Sequence, residues 1–214
     1  MSLLEFNSKR IDNFIRLARN SMFRLQVLIL CEGSDDIDTL QALIGKLNVQ
    51  LPRYSGVSDC GGISKLEELA PFVATICNLR KRTRKIVLII DANTRTAQQR
   101  VNSLKQSLES HHVRIENLHQ VSDSIYGATF ERFDFLIKAV GKMDLPFKSH
   151  EMEDYAVYLL RIKAEVGDNQ LVNFHKASDF IKEHGKKADV IIEESEESDV
   201  RKAYENIIDL LNTL

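Results

Sequence analysis

Residues 27–36 read VLILCEGSDD, and residues 85–94 read KIVLIIDANT. In each stretch an apolar run of strand length ends directly on a carboxylate, Glu32 in the first and Asp91 in the second. Removing a carboxylate from water is costly, so an acid in this position needs a physical reason. Continuous apolar runs are typical of parallel sheets that are covered on both faces, and ligands bind beyond the carboxyl ends of such strands. The two stretches therefore predict an α/β fold in which Glu32 and Asp91 share one acidic site.

Strand and helix patterns alternate along the rest of the chain. Apolar runs predict strands at residues 25–31, 54–59, 86–90, 113–118 and 133–140. Apolar residues at helical spacing predict helices at 3–20, at 36–47, from the turn DCGGIS to about Asn78, from about 97 to 108, and through most of the chain after 151. Pro71 predicts a kink or a late start in the third of these helices.

This alternation predicts an open, mainly parallel sheet with helices on both faces. We expect three parts, which are an N-terminal helical segment (1–24), an α/β domain (25–150) and a C-terminal helical extension (151–214) packed on the same core. The chain has 214 residues, of which 43% are hydrophobic, and a formal net charge of −2, so it is large enough for one well-buried core.

Several classes of protein are excluded by pattern. No apolar run approaches the roughly 18 residues that span a bilayer, and the N-terminus has no signal-peptide pattern, so we expect a cytoplasmic protein without a membrane partner. The three cysteines stand apart without a CxxC pair, which argues against a disulfide framework and a zinc site. The absence of GxxxxGK[ST] and GxGxxG motifs leaves an NTPase or a dinucleotide enzyme unsupported.

Each acid also has a purely structural explanation. An aspartate at 35–36 stands where a helix begins, and a capping role is favoured there because it suits the helix dipole. Residues 93–94 can cap the next helix in the same way. Glutamate is a poor cap, and Gly33 indicates a tight turn or a close approach of the backbone. A functional role is therefore favoured for Glu32 and, by its similar position, for Asp91.

Three motifs follow one another in order, LCEGSDD (30–36), SDCGGISKL (58–66) and LIIDANT (88–94). Together they resemble the TOPRIM domain of topoisomerases, primases and several nuclease families, over about residues 25–110. The family pattern is a strand ending in Glu-Gly with an aspartate downstream, a glycine-containing turn after a second strand, and a third strand ending in Asp-x-Asp. The resemblance implies a TOPRIM or Rossmann-like sheet and phosphoryl-transfer chemistry, in which a bound cation polarises the phosphate.

The resemblance also implies roles for particular residues. Glu32 would be the acid/base or metal-proximal glutamate, and Asp91 would be a ligand of Mg²⁺ or Mn²⁺. Gly33, Gly61 and Gly62 would let the backbone approach phosphate. The positively charged side chains that would contact the phosphate are Lys65 and Arg95, with Arg100 and Lys148 as further candidates.

Asn93 stands where the family has its second aspartate. An amide supplies an oxygen but no charge, so any Mg²⁺ at Glu32, Asp91 and Asn93 is expected to bind weakly. A third carboxylate is then wanted, and HEMEDY (150–155) resembles the acidic stretch after the core in small TOPRIM and overcoming-lysogenization-defect nucleases. Glu153 is the first candidate and Glu151 the second, whereas Asp154 is expected to point away. The alternative is a solvated first helical turn, where acids suit the dipole.

Two other acidic α/β sites match less well. A haloacid-dehalogenase-type phosphatase needs an acid/base aspartate where Asn93 stands, and its threonine falls one place later than in DANTR. A response-receiver domain would leave Glu32 and the Gly61–Gly62 pair unexplained. The basic run RKRTRK (80–85) precedes a strand, so it lies at the opposite edge and is interpreted as a solvated loop.

The sequence thus predicts a Mg²⁺-dependent, nuclease-type protein that acts on nucleic acid, alone or with a separate ATPase subunit. The length is short for a topoisomerase or a primase, which need further domains. The alternative is a non-catalytic TOPRIM-like module that binds nucleotide, nucleic acid or a partner protein. Asn93 favours this alternative, whereas Glu32 followed by Gly33 argues against it.

Overall fold

The computed structural model describes residues 4–7, 25–80 and 82–214, and a seven-stranded sheet lies at its centre. The strands are β1 (Leu4–Asn7), β2 (Val27–Cys31), β3 (Ser55–Asp59), β4 (Lys85–Asp91), β5 (Glu116–Ser122), β6 (Ile125–Phe130) and β7 (Phe133–Val140). Their spatial order is β1-β3-β2-β4-β7-β6-β5. The pairs from β1 to β7 are parallel, whereas β6 pairs antiparallel with both β7 and β5.

Helices cover both faces of the sheet. They are α1 (Ser34–Leu47), α2 (Ile63–Arg80), α3 (Ala97–Ser110), α4 (Asp154–Ile162), α5 (Asp168–Leu171), α6 (Ala177–Glu183), α7 (Ala188–Glu194), α8 (Glu197–Ala203) and α9 (Glu205–Asn212). Alternate residues of β2 point into separate cores, because successive side chains of a strand face opposite ways. Ile29 packs with α1 and the C-terminal helices, whereas Leu28 packs with α2 and α3. The predicted α/β class, with a mainly parallel sheet between two helical layers, is confirmed.

The core beside α1 is completed by the helices that follow residue 150. Tyr155 of α4 stacks on Tyr204 at 5.4 Å between ring centroids, and both rings are almost fully buried. Ile207 and Leu211 of α9 lie in the same cluster as Ile29 of β2. No helix in the described part of the chain has the length and apolar character that crossing a membrane requires.

Four details differ from the predictions. Residues Leu4–Asn7 form a strand beside β3, so the predicted helix over 3–20 is wrong at its start, and residues 8–24 lie outside those described. The strand predicted at 113–118 is β5, which is an exposed antiparallel edge strand, and β6 was not predicted at all. Of the two alternatives that Pro71 predicted, a kink or a late start, the late start is wrong, because helix α2 begins at Ile63 and contains Pro71.

Candidate functional site

Three carboxylates stand at the carboxyl ends of three adjacent parallel strands. Glu32 follows β2 directly, Asp91 ends β4 and Asp59 ends β3. In the register of the sheet, Cys31 of β2 pairs with Asp59 on one side and with Ile89 on the other. The fold thus brings Glu32 and Asp91 together at one edge, and it adds Asp59, which the same reasoning could have found at the end of the predicted strand 54–59.

Glu32 is only 8% exposed, and two donors hold one of its oxygens. The backbone N–H of Asp91 donates to Oε1 of Glu32 at 3.0 Å, and Nη2 of Arg100 donates to the same oxygen at 3.1 Å. Nε of Arg100 also donates to the carbonyl of Asp91 at 2.8 Å. Burial raises the pKa of Glu32, while the charge of Arg100 opposes that rise. Arg100, which the sequence predicts to contact phosphate, therefore positions Glu32 instead.

Asp91 joins the edge of the sheet to the segment before α4. Its Oδ1 accepts a hydrogen bond from the backbone N–H of Met152 at 3.2 Å. Burial raises the pKa of Asp91 well above its usual range, and the charges of Asp36 and Glu32 raise it further. A carboxylate in this position strongly favours a proton or a cation nearby.

The Gly61–Gly62 turn supports the floor of the site. The N–H of Gly62 donates to the carbonyl of Glu32 at 2.6 Å, and the N–H of Gly61 donates to Oδ1 of Asp59 at 2.6 Å. The φ angles are 76° at Gly61 and 105° at Gly62, a region that side chains disfavour, so glycine suits both positions. Lys65 lies beside this turn, since a Cβ built on Gly61 would stand 3.5 Å from its Cδ.

Asp36 is a site residue that sequence reasoning had assigned to helix capping. The N-cap of α1 is Gly33, and Asp36 lies three residues later, where its Oδ2 accepts the N–H of Gly33 at 3.0 Å. The prediction that an aspartate at 35–36 is itself the N-cap is therefore wrong, although the bond is of the capping kind. Asp36 is 5% exposed, and burial raises its pKa to about 8, with the charges of Glu153 and Glu32 adding to the rise.

Glu151 and Glu153 approach the same region from the segment before α4. Oε1 of Glu151 accepts the backbone N–H of Ser178 at 2.7 Å, and its Oε2 lies 3.4 Å from Nζ of Lys176. Burial raises the pKa of Glu153 to about 7, and the charge of Glu151 adds to this rise. Both predicted candidates for a third carboxylate are thus brought to the edge of the sheet.

Asp154 faces away from these acids, as we expected. It is fully buried, and its Oδ2 accepts the N–H of Lys142 at 2.8 Å and lies 2.7 Å from Nδ1 of His150. Its role is to fix the loop after β7 to the start of α4.

The residues above surround one open cleft with a volume of about 390 Å³, which we call the acidic cleft. Seven carboxylates, two lysines and several small residues line it. They are Glu32, Asp35, Asp36, Asp59, Asp91, Glu151, Glu153, Lys176, Lys182, Gly33, Ser34, Gly61, Gly62 and Ser178. The two lysines come from a part of the chain in which the sequence had suggested no site.

Asn93 is not among the residues that line the acidic cleft. It adopts a left-handed φ of 54°, and its backbone forms an isolated antiparallel bridge with His150. Its Oδ1 accepts a hydrogen bond from Oγ of Ser149 at 3.3 Å. This placement does not support the prediction that Asn93 is a metal ligand. The prediction that residues 93–94 cap the next helix is wrong, because Thr96 is the N-cap of α3.

Three predicted phosphate ligands, Lys65, Arg95 and Lys148, are likewise not among the residues that line the cleft. Arg95 donates from Nη1 to Oγ of Ser103 at 2.9 Å, along the exposed surface of α3. Lys148 is exposed in the loop before α4. In residues 25–80 and 82–214, no three histidine, cysteine, aspartate or glutamate side chains are already arranged to hold a metal ion together.

Fold and site define an open α/β protein with a deep cluster of acids at the carboxyl edge of a mainly parallel sheet. The chain belongs to the family described as "Protein of unknown function (DUF3226)", whose profile matches residues 26–188. The C-terminal region of the OLD protein from Xanthomonas campestris pv. campestris is similar at a TM-score of 0.41 and 15% sequence identity, over 88% of this chain and 97% of that one. This similarity is too low to carry an argument about function. A search of curated proteins gave no match.

Proposed function

We propose that this protein is a Mg²⁺-dependent phosphodiesterase of nuclease type, with its reaction centre in the acidic cleft. The observation that carries the proposal is the convergence of Glu32 and Asp91 with Glu153 on one cleft, at the edge where open α/β sheets bind ligands. The TOPRIM resemblance of the motifs points the same way. A separate ATPase subunit remains an expectation of that resemblance.

The donor set fits a hard divalent cation in its chemistry. Mg²⁺ prefers carboxylate and water oxygens, and the cleft offers seven carboxylates against two lysines. The raised pKa values of Asp91, Asp36 and Glu153 have burial as their first cause and crowding among like charges as their second. A bound cation would relieve both, because it supplies the opposite charge that the buried carboxylates lack.

Glu32, Asp91 and Glu153 would hold the ion, and Asn93 would not. Mg²⁺ supplies Lewis-acid polarisation of a phosphate when it is bound. The chain itself fixes Glu32 through Arg100 and fixes Asp91 through the N–H of Met152, and each of these bonds occupies only one carboxylate oxygen. Because a carboxylate has two oxygens and about four lone-pair sites, both residues keep acceptor capacity toward the cleft.

Asp36 can handle a proton in this site. Without a bound cation, burial raises its pKa to about 8, so it is protonated at neutral pH, whereas an ordinary aspartate would be ionised. A carboxyl group with a pKa near the working pH suits proton transfer to a leaving oxygen. With a cation held by Glu32 and Glu153, the pKa of Asp36 would fall, because two of the charges that raise it are neutralised, and Asp36 could then release its proton to the leaving oxygen.

The test combines Mn²⁺ titration with cleavage of single- and double-stranded DNA and RNA. We expect D91N and E153Q to lower Mn²⁺ affinity and to abolish cleavage, because each removes a direct ligand. The control D134N changes an exposed aspartate outside the acidic cleft and should behave like wild type. We also expect N93D to leave Mn²⁺ affinity unchanged, since Asn93 faces Ser149. Equal Mn²⁺ binding by wild type, D91N and E153Q would refute the proposal.

A non-catalytic TOPRIM-like binding module is the second candidate. The observation in its favour is that no three histidine, cysteine, aspartate or glutamate side chains in the described residues are already placed around a metal position. The two candidates differ in one measurement, because a binding module retains nucleic acid or nucleotide without hydrolysing it at any Mg²⁺ or Mn²⁺ concentration.

A further inference from the structure

A second cavity, with a volume of about 340 Å³, continues the acidic cleft along α6 and α7. The two cavities share four residues, which are Asp35, Glu153, Ser178 and Lys182. Together they form one groove that begins at the strand ends and runs past the loop between α6 and α7. A ligand at the acidic cleft that is longer than one phosphate group can therefore extend into this second cavity.

One short segment supplies every lysine that lines this groove. The residues are Lys176, Lys182, Lys186 and Lys187, which we call the lysine wall. The acids of the groove come mainly from the strand ends, from α1 and from the segment before α4. None of the residues that this segment contributes to the groove is acidic, and the acids of the second cavity stand on other elements, with Asp38 on α1 and Asp189 on α7.

Part of the lysine wall has no acidic partner of its own. Lys176 lies 3.4 Å from Glu151, and Lys186 lies 3.6 Å from Glu165. Within the described residues, Lys182 and Lys187 form no salt bridge, and both are exposed. Exposed ammonium groups beside a cation site are suited to a phosphate that must be held from the side opposite the metal.

The dimensions favour a single strand over a duplex. A volume of 340 Å³ corresponds to a cube with an edge of about 7 Å, whereas the major groove of a duplex alone is about 12 Å wide. A base-paired helix is wider than this and can contact only the rim of the groove, whereas the backbone of one strand can lie along it. Because the formal net charge is −2, binding of a polyanion must depend on local positive charge, and these lysines supply it beside the cleft.

We infer that the lysine wall binds the phosphate backbone of a single-stranded nucleic acid and leads it into the acidic cleft. This inference rests on the proposed function, whose site it extends by naming the substrate class and its path. The four lysines belong to neither the predicted motifs nor the group that would hold the ion.

Fluorescence anisotropy of a labelled phosphorothioate single strand about 12 nucleotides long, which resists hydrolysis, tests the inference with Mg²⁺ present. The variant is the triple change K182Q/K186Q/K187Q in the full chain. The matched control R114Q/R132Q/K202Q removes the same charge from exposed positions outside both cavities.

We expect the triple lysine variant to bind about 10- to 100-fold more weakly at 0.1 M salt, and the control to bind like wild type. The slope of log K against log salt should become less negative by about 2, since each phosphate contact of a single strand contributes about 0.7. A duplex of the same length should bind more weakly than the single strand to wild type.

Any of three results would overturn the inference. These are a failure of wild type to bind single strands, an equal loss of affinity in the variant and the control, and tighter binding of the duplex than of the single strand through the same lysines. Failure of the proposed function has a different signature. If single strands bind through the lysines but D91N leaves Mn²⁺ binding and cleavage unchanged, the inference stands and the metal-dependent reaction falls. If D91N abolishes Mn²⁺ binding and cleavage while the lysine variant binds single strands normally, the proposed function stands and the inference about the lysine wall falls.

Discussion

Replacing Asp36 with asparagine should remove a large part of the pH dependence of stability. Asparagine keeps the shape and can still accept the N–H of Gly33, but it cannot ionise. In wild type the pKa of Asp36 is about 8 in the folded protein, against 3.8 for an ordinary aspartate in the unfolded chain, and burial is the main cause. D36N therefore changes the protonation behaviour of the cleft with little change in its packing.

The sign follows from which state holds the proton more tightly. Between pH 3.8 and about 8 the folded state binds more protons than the unfolded state at this group. The free energy of unfolding therefore falls as the pH rises through that window, by at most about 1.4 kcal/mol per pH unit for one proton. From pH 5 to pH 7, wild type should lose about 2–3 kcal/mol relative to D36N.

Urea unfolding at pH 5, 6, 7 and 8 without divalent cations measures this difference. The control is D134N, which removes an exposed carboxylate of β7 and should follow wild type. If the free energy of unfolding changes with pH by the same amount in wild type and D36N, the argument is refuted. That result would mean that Asp36 ionises in the folded protein as easily as in the unfolded chain. A wild-type free energy that rises relative to D36N with pH would contradict the sign as well.

Further predictions concern the surroundings of the cleft. R100M should lower the free energy of unfolding by about 3–5 kcal/mol at pH 8, because it leaves the buried carboxylate of Glu32 without its ion-pair partner. The loss should be smaller at pH 5, where Glu32 can take up a proton. Urea unfolding at both pH values measures the difference. G141A should cost about 2–4 kcal/mol in the same assay, since φ is 135° and a Cβ would stand 2.6 Å from that of His150. About 10 mM Mg²⁺ should raise the melting temperature of wild type more at pH 8 than at pH 6, because carboxylates must lose protons to bind, and D91N should show no shift.

Local pattern was enough to place the centre of the site. Glu32 and Asp91 each end an apolar run, and parallel strands bring their carboxyl ends to one edge whatever the rest of the chain does. The same rule applies to Asp59, whose strand is short and contains serine and glycine, so its apolar signal was weak. Strand ends are therefore the features of this fold that sequence alone predicts best.

Contacts between distant parts of the chain were beyond such reasoning. Asn93 turns away from the cleft because its backbone pairs with His150, a residue that sequence spacing does not connect to it. Arg100 is four residues beyond the cap of α3, and only the docking of that helix on the sheet shows that it meets Glu32. The short strand at Leu4–Asn7 likewise owes its form to pairing with β3. In each case tertiary pairing overrides the local preference.

The C-terminal helices are part of the site, although the sequence suggested an extension after residue 150. The N–H of Met152 binds Asp91, the N–H of Ser178 binds Glu151, and Lys176 approaches the same glutamate. These groups all lie beyond residue 150, and they supply hydrogen bonds and positive charge to acids that burial has deprived of water. The sheet brings the carboxylates together at a cost in electrostatic energy, and the later helices offset part of that cost. The acids of the cleft come from both sides of residue 150, whereas the lysine wall lies within residues 176–187, so neither the strand ends nor the later helices reveal the whole groove alone.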